Sequence, residues 1–264
     1  ACGPVDFMSP QRADLVEHAV HEAERLGIQI GLATGPGWCG TGGPWITPEF
    51  AMQDLVASAT NVVGPVSFSA ELPRPSPREP FFGEGTLTPE LKKEWQDFYR
   101  DTVVLAFRTP NGTNRIADVD EKALYYRAPF SSQPGVKPSL PAPAMYPAVS
   151  AADCIQPADT VDLTKRLGPD GHLDWQVPPG RWTIMRFGRT LTGQTTRPAP
   201  KPGLGFESDK FDRKALDVHF ADYVQKLLVK IRPHTNSDGG LTMLHFDSWE
   251  MGSQNWSPNF RAEF

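Results

Sequence analysis

Two helix-then-strand units, set far apart in the chain, constrain the fold more than any other feature of the sequence. Ser9-Pro10 reads as a helix cap followed by proline in the first turn, with acidic Asp14 and Glu17 close behind. Leu15, Val16, Ala19, Val20, Ala23 and Leu26 then recur at three and four residues as one apolar stripe, and Gly27 closes the helix. A short strand, 28–33, follows at once. The second unit repeats the order: a helix from Asp212 to Ile231, with Ala215, Leu216, His219, Phe220, Tyr223, Val224, Leu227, Leu228 and Ile231 on its apolar face, then the linker 232–240 and a strand at Thr242–Phe246. A short apolar run behind Asp238-Gly239-Gly240 reads as a buried parallel strand, so both units belong to an α/β sheet.

More than 150 residues separate Ala33 from Asp212, where a βαβ crossover takes only ~30. The excess reads as an inserted subdomain. Its signals are alternations of period two: Val66, Phe68, Ala70 and Leu72; Val103 to Phe107; Val161 to Leu163; and Trp182 to Phe187 after a turn at Pro178-Pro179-Gly180. One helical run, Pro89 to Tyr99, interrupts them, and 129–150, rich in Pro, Ser and Ala, reads as an extended surface loop. The insert is therefore antiparallel β, expected as a sandwich. The expected boundaries are 1–50 for the first α/β portion, 51–203 for the insert and 204–264 for the second α/β portion.

Three segments can carry chemistry. After the strand at 242–246, composition changes abruptly to Asp247, Ser248, Trp249, Glu250, Gln254, Asn255 and Trp256. Carboxylates, amides and indoles at the end of a buried strand are the material of a sugar site. Residues three apart on a strand face opposite sides, so Asp247 and Glu250 share a pocket only if the chain turns at Ser248-Trp249. Partial burial beside indoles favours the protonated form of a carboxyl, which is the form a general acid needs. The plainer reading is a helix cap and a solvated glutamate, which leaves the indoles and amides unexplained. The second segment, Thr34 to Trp45, holds five glycines with Trp38 and Trp45. It lacks the order of a phosphate loop, and serves either as a tight turn or as an indole-lined sugar wall. The third is the turn at Glu207, Asp209 and Lys210 before the second helix. An acidic cap at Asp212 accounts for Asp209 and Asp212, but less well for Glu207 and Lys210.

A net charge of -5 over 264 residues, with no basic cluster, argues against nucleic acid. No apolar run approaches the ~20 residues of a membrane span. Cys2, Cys39 and Cys154 have no metal-ligand spacing and leave the redox compartment open. The chain begins at Ala1, and its last residues read as the start of an element, so a piece of a longer polypeptide is expected.

The blocks GPGWCGTGGPWITPE, GRWTIMRFGRTLTGQ, GFESDKFDRKALDVHF and DSWEMGSQNW, in this order, resemble the family-106 glycoside hydrolases, whose known activity is α-L-rhamnosidase. The resemblance covers nearly the whole chain and is most specific in its last block. It implies a partial (β/α)8 TIM-type barrel with an inserted antiparallel β-sandwich. It also implies inverting hydrolysis of terminal α-L-rhamnose from a rhamnose-containing glycan, assisted by calcium, in a secreted or periplasmic bacterial protein. In such a mechanism one carboxylic acid protonates the leaving oxygen and a second carboxylate, ~6.5–9.5 Å away, activates water. Glu250 matches the general-acid position and Asp247 the carboxylate three residues before it, placed to position sugar or metal. Trp38, Trp45, Glu207, Asp209, Lys210, Trp249, Gln254, Asn255 and Trp256 are expected to line the sugar site. The general base and part of the metal shell are expected beyond Phe264, which predicts that the chain alone is inactive. Asp247, Glu207 and Asp209 are plausible oxygen ligands for calcium, but no spacing ties them together. Two other readings compete: a barrel glycosidase for another deoxysugar, and a non-catalytic carbohydrate-binding protein in which Glu250 is only a hydrogen-bond partner.

Overall fold

The computed structural model describes residues 5–112, 116–125, 148–233, 238–246 and 250–263. The chain forms two compact units, one made of Ala1–Gln53, Glu79–Trp95 and Leu191–Phe264, the other of Asp54–Arg78 and Gln96–Thr190.

In the first unit, helix α1 (Pro10–Leu26) is capped at both ends as the residues dictate. Ser9 Oγ accepts from Arg12 N at 3.2 Å, and Gly27 ends the helix at a φ of 68°. Strand β1 (Gln29–Ala33) follows. The apolar stripe of α1 is narrower than its periodicity suggests. Val20 and Ala23 are buried with Val16 partly so, while Leu15 and Leu26 are more than half exposed and Ala19 is exposed as well. The helix meets its neighbours along one line only, and residues one position off that line face outward.

The second unit is built on a sheet in the order β2-β5-β3-β4, formed by β2 (Gln53–Glu71), β3 (Arg100–Arg108), β4 (Val161–Asp162) and β5 (His172–Leu191). Helix α2 (Pro89–Asp97), which belongs to the first unit for most of its length, precedes β3, and a single turn, α3 (Val119–Lys122), follows it. Strands β3 and β5 pair antiparallel from Arg100↔Arg189 to Arg108↔Trp182. Thr192 N bonds Met52 O at one end of the β2–β5 pair and Leu72 N bonds Gly171 O at the other, so these strands are antiparallel too. Val104, Ala106, Leu163, Leu173, Trp175, Val177, Trp182 and Ile184 alternate inward to make this unit's core. The expected turn at Pro178-Pro179-Gly180 is absent, because β5 runs through it. Beyond the last pair with β3, that side of β5 has no ladder to maintain, and proline is tolerated there. Most of 129–150 lies outside the described residues; 148–150 has no regular structure.

Back in the first unit, the predicted helix 212–231 is three pieces: α4 (Arg213–His219), a π-helical turn Phe220–Gln225, and α5 (Lys226–Ile231). Asp212 caps it, accepting from Lys214 N at 2.9 Å. The buried side chains Ala215, His219, Tyr223, Leu227 and Ile231 recur every fourth residue. On a turn of 3.6 residues each such step overshoots by ~40°. The wider π turn takes the overshoot back and holds the row on one face, leaving Leu216 and Phe220 exposed. Strand β6 (Gly240–His245) pairs with β1 in parallel, Gln29↔Gly240 through Ala33↔His245. The predicted burial of this strand does not hold, since Met243, Leu244 and Phe246 are exposed. Among the described residues β6 pairs with β1 alone, and Leu241 is its one side chain packed into the core beside α1. A short α6 (Phe260–Glu263) follows, and no helix among the described residues is long and apolar enough to cross a membrane.

Candidate active site

At the carboxyl end of β1 the glycine loop folds back on the sheet. Thr34 N bonds His245 O at 3.0 Å, extending the β1–β6 pairing by one residue. A Cβ on Gly40 would stand 2.6 Å from the Phe246 ring, so only glycine lets the loop meet the residue that follows β6. His219 anchors the loop. Its Nδ1 accepts from Gly42 N at 3.2 Å and from the Trp45 indole N–H at 3.1 Å, while Nε2 donates to Thr34 O at 2.6 Å. Two donors on Nδ1 require the neutral Nε2–H tautomer. Burial, together with the nearby Lys210 charge, holds this imidazole below its ordinary pKa.

The acidic turn packs beside the loop. Glu207 and Asp209 are each 2% exposed. Lys210 Nζ pairs with Glu207 Oε2 and donates to Thr41 Oγ1 at 2.6 Å, and Ser208 Oγ bonds the same threonine oxygen. Gln254 ties this turn to the segment after β6. Its Oε1 accepts from Lys210 N at 3.0 Å, and its Nε2 donates to Asp209 Oδ1 at 2.5 Å and to Trp256 O at 2.8 Å. Glu207 Oε1 and Asp209 Oδ2 are fully buried, with the Cys39 thiol beside Glu207 and the Ser257 hydroxyl beside Asp209. Burial pushes the Asp209 carboxyl above its usual range.

These elements enclose a cleft of about 450 Å³ whose walls include Gly40, Thr41, Asp209, Lys210, Phe211 and Phe246. A larger hollow of about 660 Å³ lies between Phe7, Arg12, Gly35 and Tyr223, but Asp6 is its one carboxylate. Chemistry therefore favours the smaller cleft.

The predicted site residues separate into groups. Glu207, Asp209, Lys210 and Gln254 come together as described. Trp38 exposes 56% of its surface, as a sugar platform requires. Trp45 is committed elsewhere, its indole N–H to His219 and its face stacked on Tyr223 at 5.7 Å. Trp256 is half-buried edge-on to Phe260, and its backbone pairs with Gln53; Asn255 is half-buried beside it. Glu250 is half-buried ahead of buried Met251 and of Gly252, whose φ of 77° turns the chain. Asp247 and Trp249 lie outside the described residues. Sequence reasoning missed the roles of Thr41 and His219, although a histidine on the buried face of an amphipathic helix was the available signal. Cys39 is no nucleophile, since burial and then the Glu207 charge push its thiol far up. As for calcium, no three His, Cys, Asp or Glu side chains converge among the described residues, and Glu207 already holds the Lys210 ammonium. Asp247, the third candidate ligand, lies outside the described residues.

A mixed α/β chain with a carboxylate-lined cleft at the end of parallel strands has the features of a carbohydrate-active enzyme. The profile of glycoside hydrolase family 106, described as alpha-L-rhamnosidase, matches residues 3–264, and the chain belongs to that family. A Formosa agariphila protein, provisionally named a beta-glucuronidase, is 36% identical over 262 residues; these are 99% of this chain and 20% of that protein. The structure of a rhamnosidase from Novosphingobium sp. PP1Y is similar in fold, with a TM-score of 0.68 at 24% identity over 97% of this chain and 35% of that one. The chain thus spans about a fifth of the first relative and about a third of the second.

Proposed function

We propose that this chain supplies the acid-bearing half of a glycosidase site that removes terminal α-L-rhamnosyl residues with inversion, Glu250 acting as general acid. What supports the reading is the convergence, around one cleft, of the glycine loop after β1, the turn at Glu207–Lys210 and the end of β6. Glu250 protonates the leaving oxygen, and Asp247 positions the sugar. Asp209 and Lys210, which line the cleft, face the sugar, and Glu207 behind them holds the Lys210 ammonium in place. The general base comes from polypeptide outside these residues, as the relatives' greater length allows. In the same reading β1 and β6 are neighbouring strands of a (β/α)8 barrel, and the β2-β5-β3-β4 sheet is one layer of an inserted sandwich.

The test is Glu250→Gln in the longer polypeptide. Turnover of an aryl α-L-rhamnoside should fall by at least ~100-fold with substrate binding retained, the scale of losing a positioned proton donor. Equal loss of binding and turnover would instead favour a lectin-like role. The name of the Formosa agariphila relative supports a second reading, a β-D-glucuronide as substrate. Parallel assays on aryl α-L-rhamnoside, β-D-glucuronide and fucoside separate the three sugars.

A further inference from the structure

The second unit carries another cleft, of about 540 Å³, where β3 leaves β5. That size is within the ~300–1,000 Å³ of small-molecule sites. Arg108 and Arg181 line it, and both are exposed. Each guanidinium is held in place by uncharged partners. Arg108 lies 5.1 Å from the Trp182 ring centroid and donates from Nη1 to Pro179 O at 2.9 Å. Trp182 is itself fixed, edge-on to Trp175 at 5.2 Å and with its indole N–H on Pro178 O at 3.0 Å. A Cβ on Gly180 would stand 2.5 Å from Arg108 Nη1, so glycine clears the place this guanidinium occupies. Arg181 donates from Nη2 to Asn111 Oδ1 at 2.6 Å.

Neither arginine pairs with a carboxylate among the described residues, and each keeps four of its five N–H donors. Asp159 is the one carboxylate in the lining, so the cleft is net positive in a chain of net charge -5. Phe107 and Ile155 add an apolar wall. Preorganised guanidinium forks match a planar carboxylate, and an apolar wall beside them matches the C–H face of a sugar ring.

We propose that this cleft is a second carbohydrate site, selective for a saccharide bearing a carboxylate, with Arg108 and Arg181 gripping the carboxylate and Asp159 accepting from a hydroxyl. It shares no lining residue with the cleft assigned to catalysis and does not depend on which sugar that cleft cuts.

Calorimetric titration of the protein with a galacturonate disaccharide, its methyl ester and inorganic sulfate tests the assignment. The acid should bind roughly tenfold or more tightly than its ester, and the Arg108→Gln/Arg181→Gln variant should lose that preference. An Arg108→Lys/Arg181→Lys variant, matched to wild type by circular dichroism, should keep the charge and recover part of the binding. Equal binding of acid and ester, or an unchanged preference in the glutamine variant, would overturn the site. Sulfate binding as tightly as the disaccharide would reduce it to a simple anion site and refute the saccharide claim.

Discussion

Gly42 N–H and the Trp45 indole N–H both point at Nδ1 of His219, so protonating that nitrogen would set a third donor against two already in place. The folded-state pKa of His219 lies below the ordinary imidazole value, and the unfolded chain therefore binds more protons between the two. The stabilisation is complete above about pH 6.5 and is lost as pH falls toward the lower folded value. Urea unfolding followed from pH 7.5 to 5 should show stability declining with acidity, and His219→Gln should flatten that slope. His219→Ala leaves both donors buried and unpaired, which should cost about 2–4 kcal/mol at neutral pH. A variant as stable as wild type at both pH values would mean the loop does not rely on this imidazole. His219 was readable from sequence only as a position on a helix face. Its ring partners lie 177 and 174 residues away, and no local pattern encodes contacts of that range.

Elements whose cause is local were the legible ones. Ser9 and Gly27 bound α1, Asp212 caps α4, and the alternation Val103–Phe107 places β3 within Arg100–Arg108. What escaped needed partners: the π turn, set by the row Ala215–Ile231 packing on one side, and β5 running through two prolines because its neighbour had already departed. In the site the acidic turn, the glycine loop and the strand end were legible by composition, whereas the Gln254 bridge that joins the first to the last was not. Strand–strand coupling in the second unit gives another prediction. Arg186, 6% exposed in β5, bonds Asp101 in β3 at 2.7 and 2.9 Å and Leu72 O at 2.6 Å. Burial raises the Asp101 pKa, but the Arg186 and Tyr99 hydrogen bonds outweigh it and hold the carboxyl below its usual value. That stabilisation is present above about pH 4 and is lost as pH falls through the lower folded value. Asp101→Ala strands a nearly buried guanidinium. It should cost about 1–3 kcal/mol in denaturant unfolding, less than a fully buried pair because Asp101 is a third exposed. A change within ±0.5 kcal/mol would show that water replaces the carboxylate freely.

At the scale of the whole molecule, the parallel pair β1–β6 is the least self-sufficient part of the described structure. Parallel strands are ordinarily covered on both faces and paired on both edges. Here Met243, Leu244 and Phe246 expose 56%, 42% and 61% of their surface, and β6 pairs with one described strand. The relatives are about three and five times longer than the stretch they share with this chain, which gives ample polypeptide to cover such a pair. The proposed mechanism makes the same demand, because its second carboxylate has no assigned position among these residues. The 264-residue chain expressed alone should therefore bind an apolar dye such as ANS strongly and show no rhamnoside turnover. A longer polypeptide containing it should bind the dye weakly and turn the substrate over. Clear turnover by the short chain would place the general base within residues 1–264 and make Asp247, Glu207 and Asp209 the first positions to substitute. Equal dye binding by both would mean that Met243, Leu244 and Phe246 are surface residues of the finished protein, and that β1–β6 is not the interior pair of a barrel.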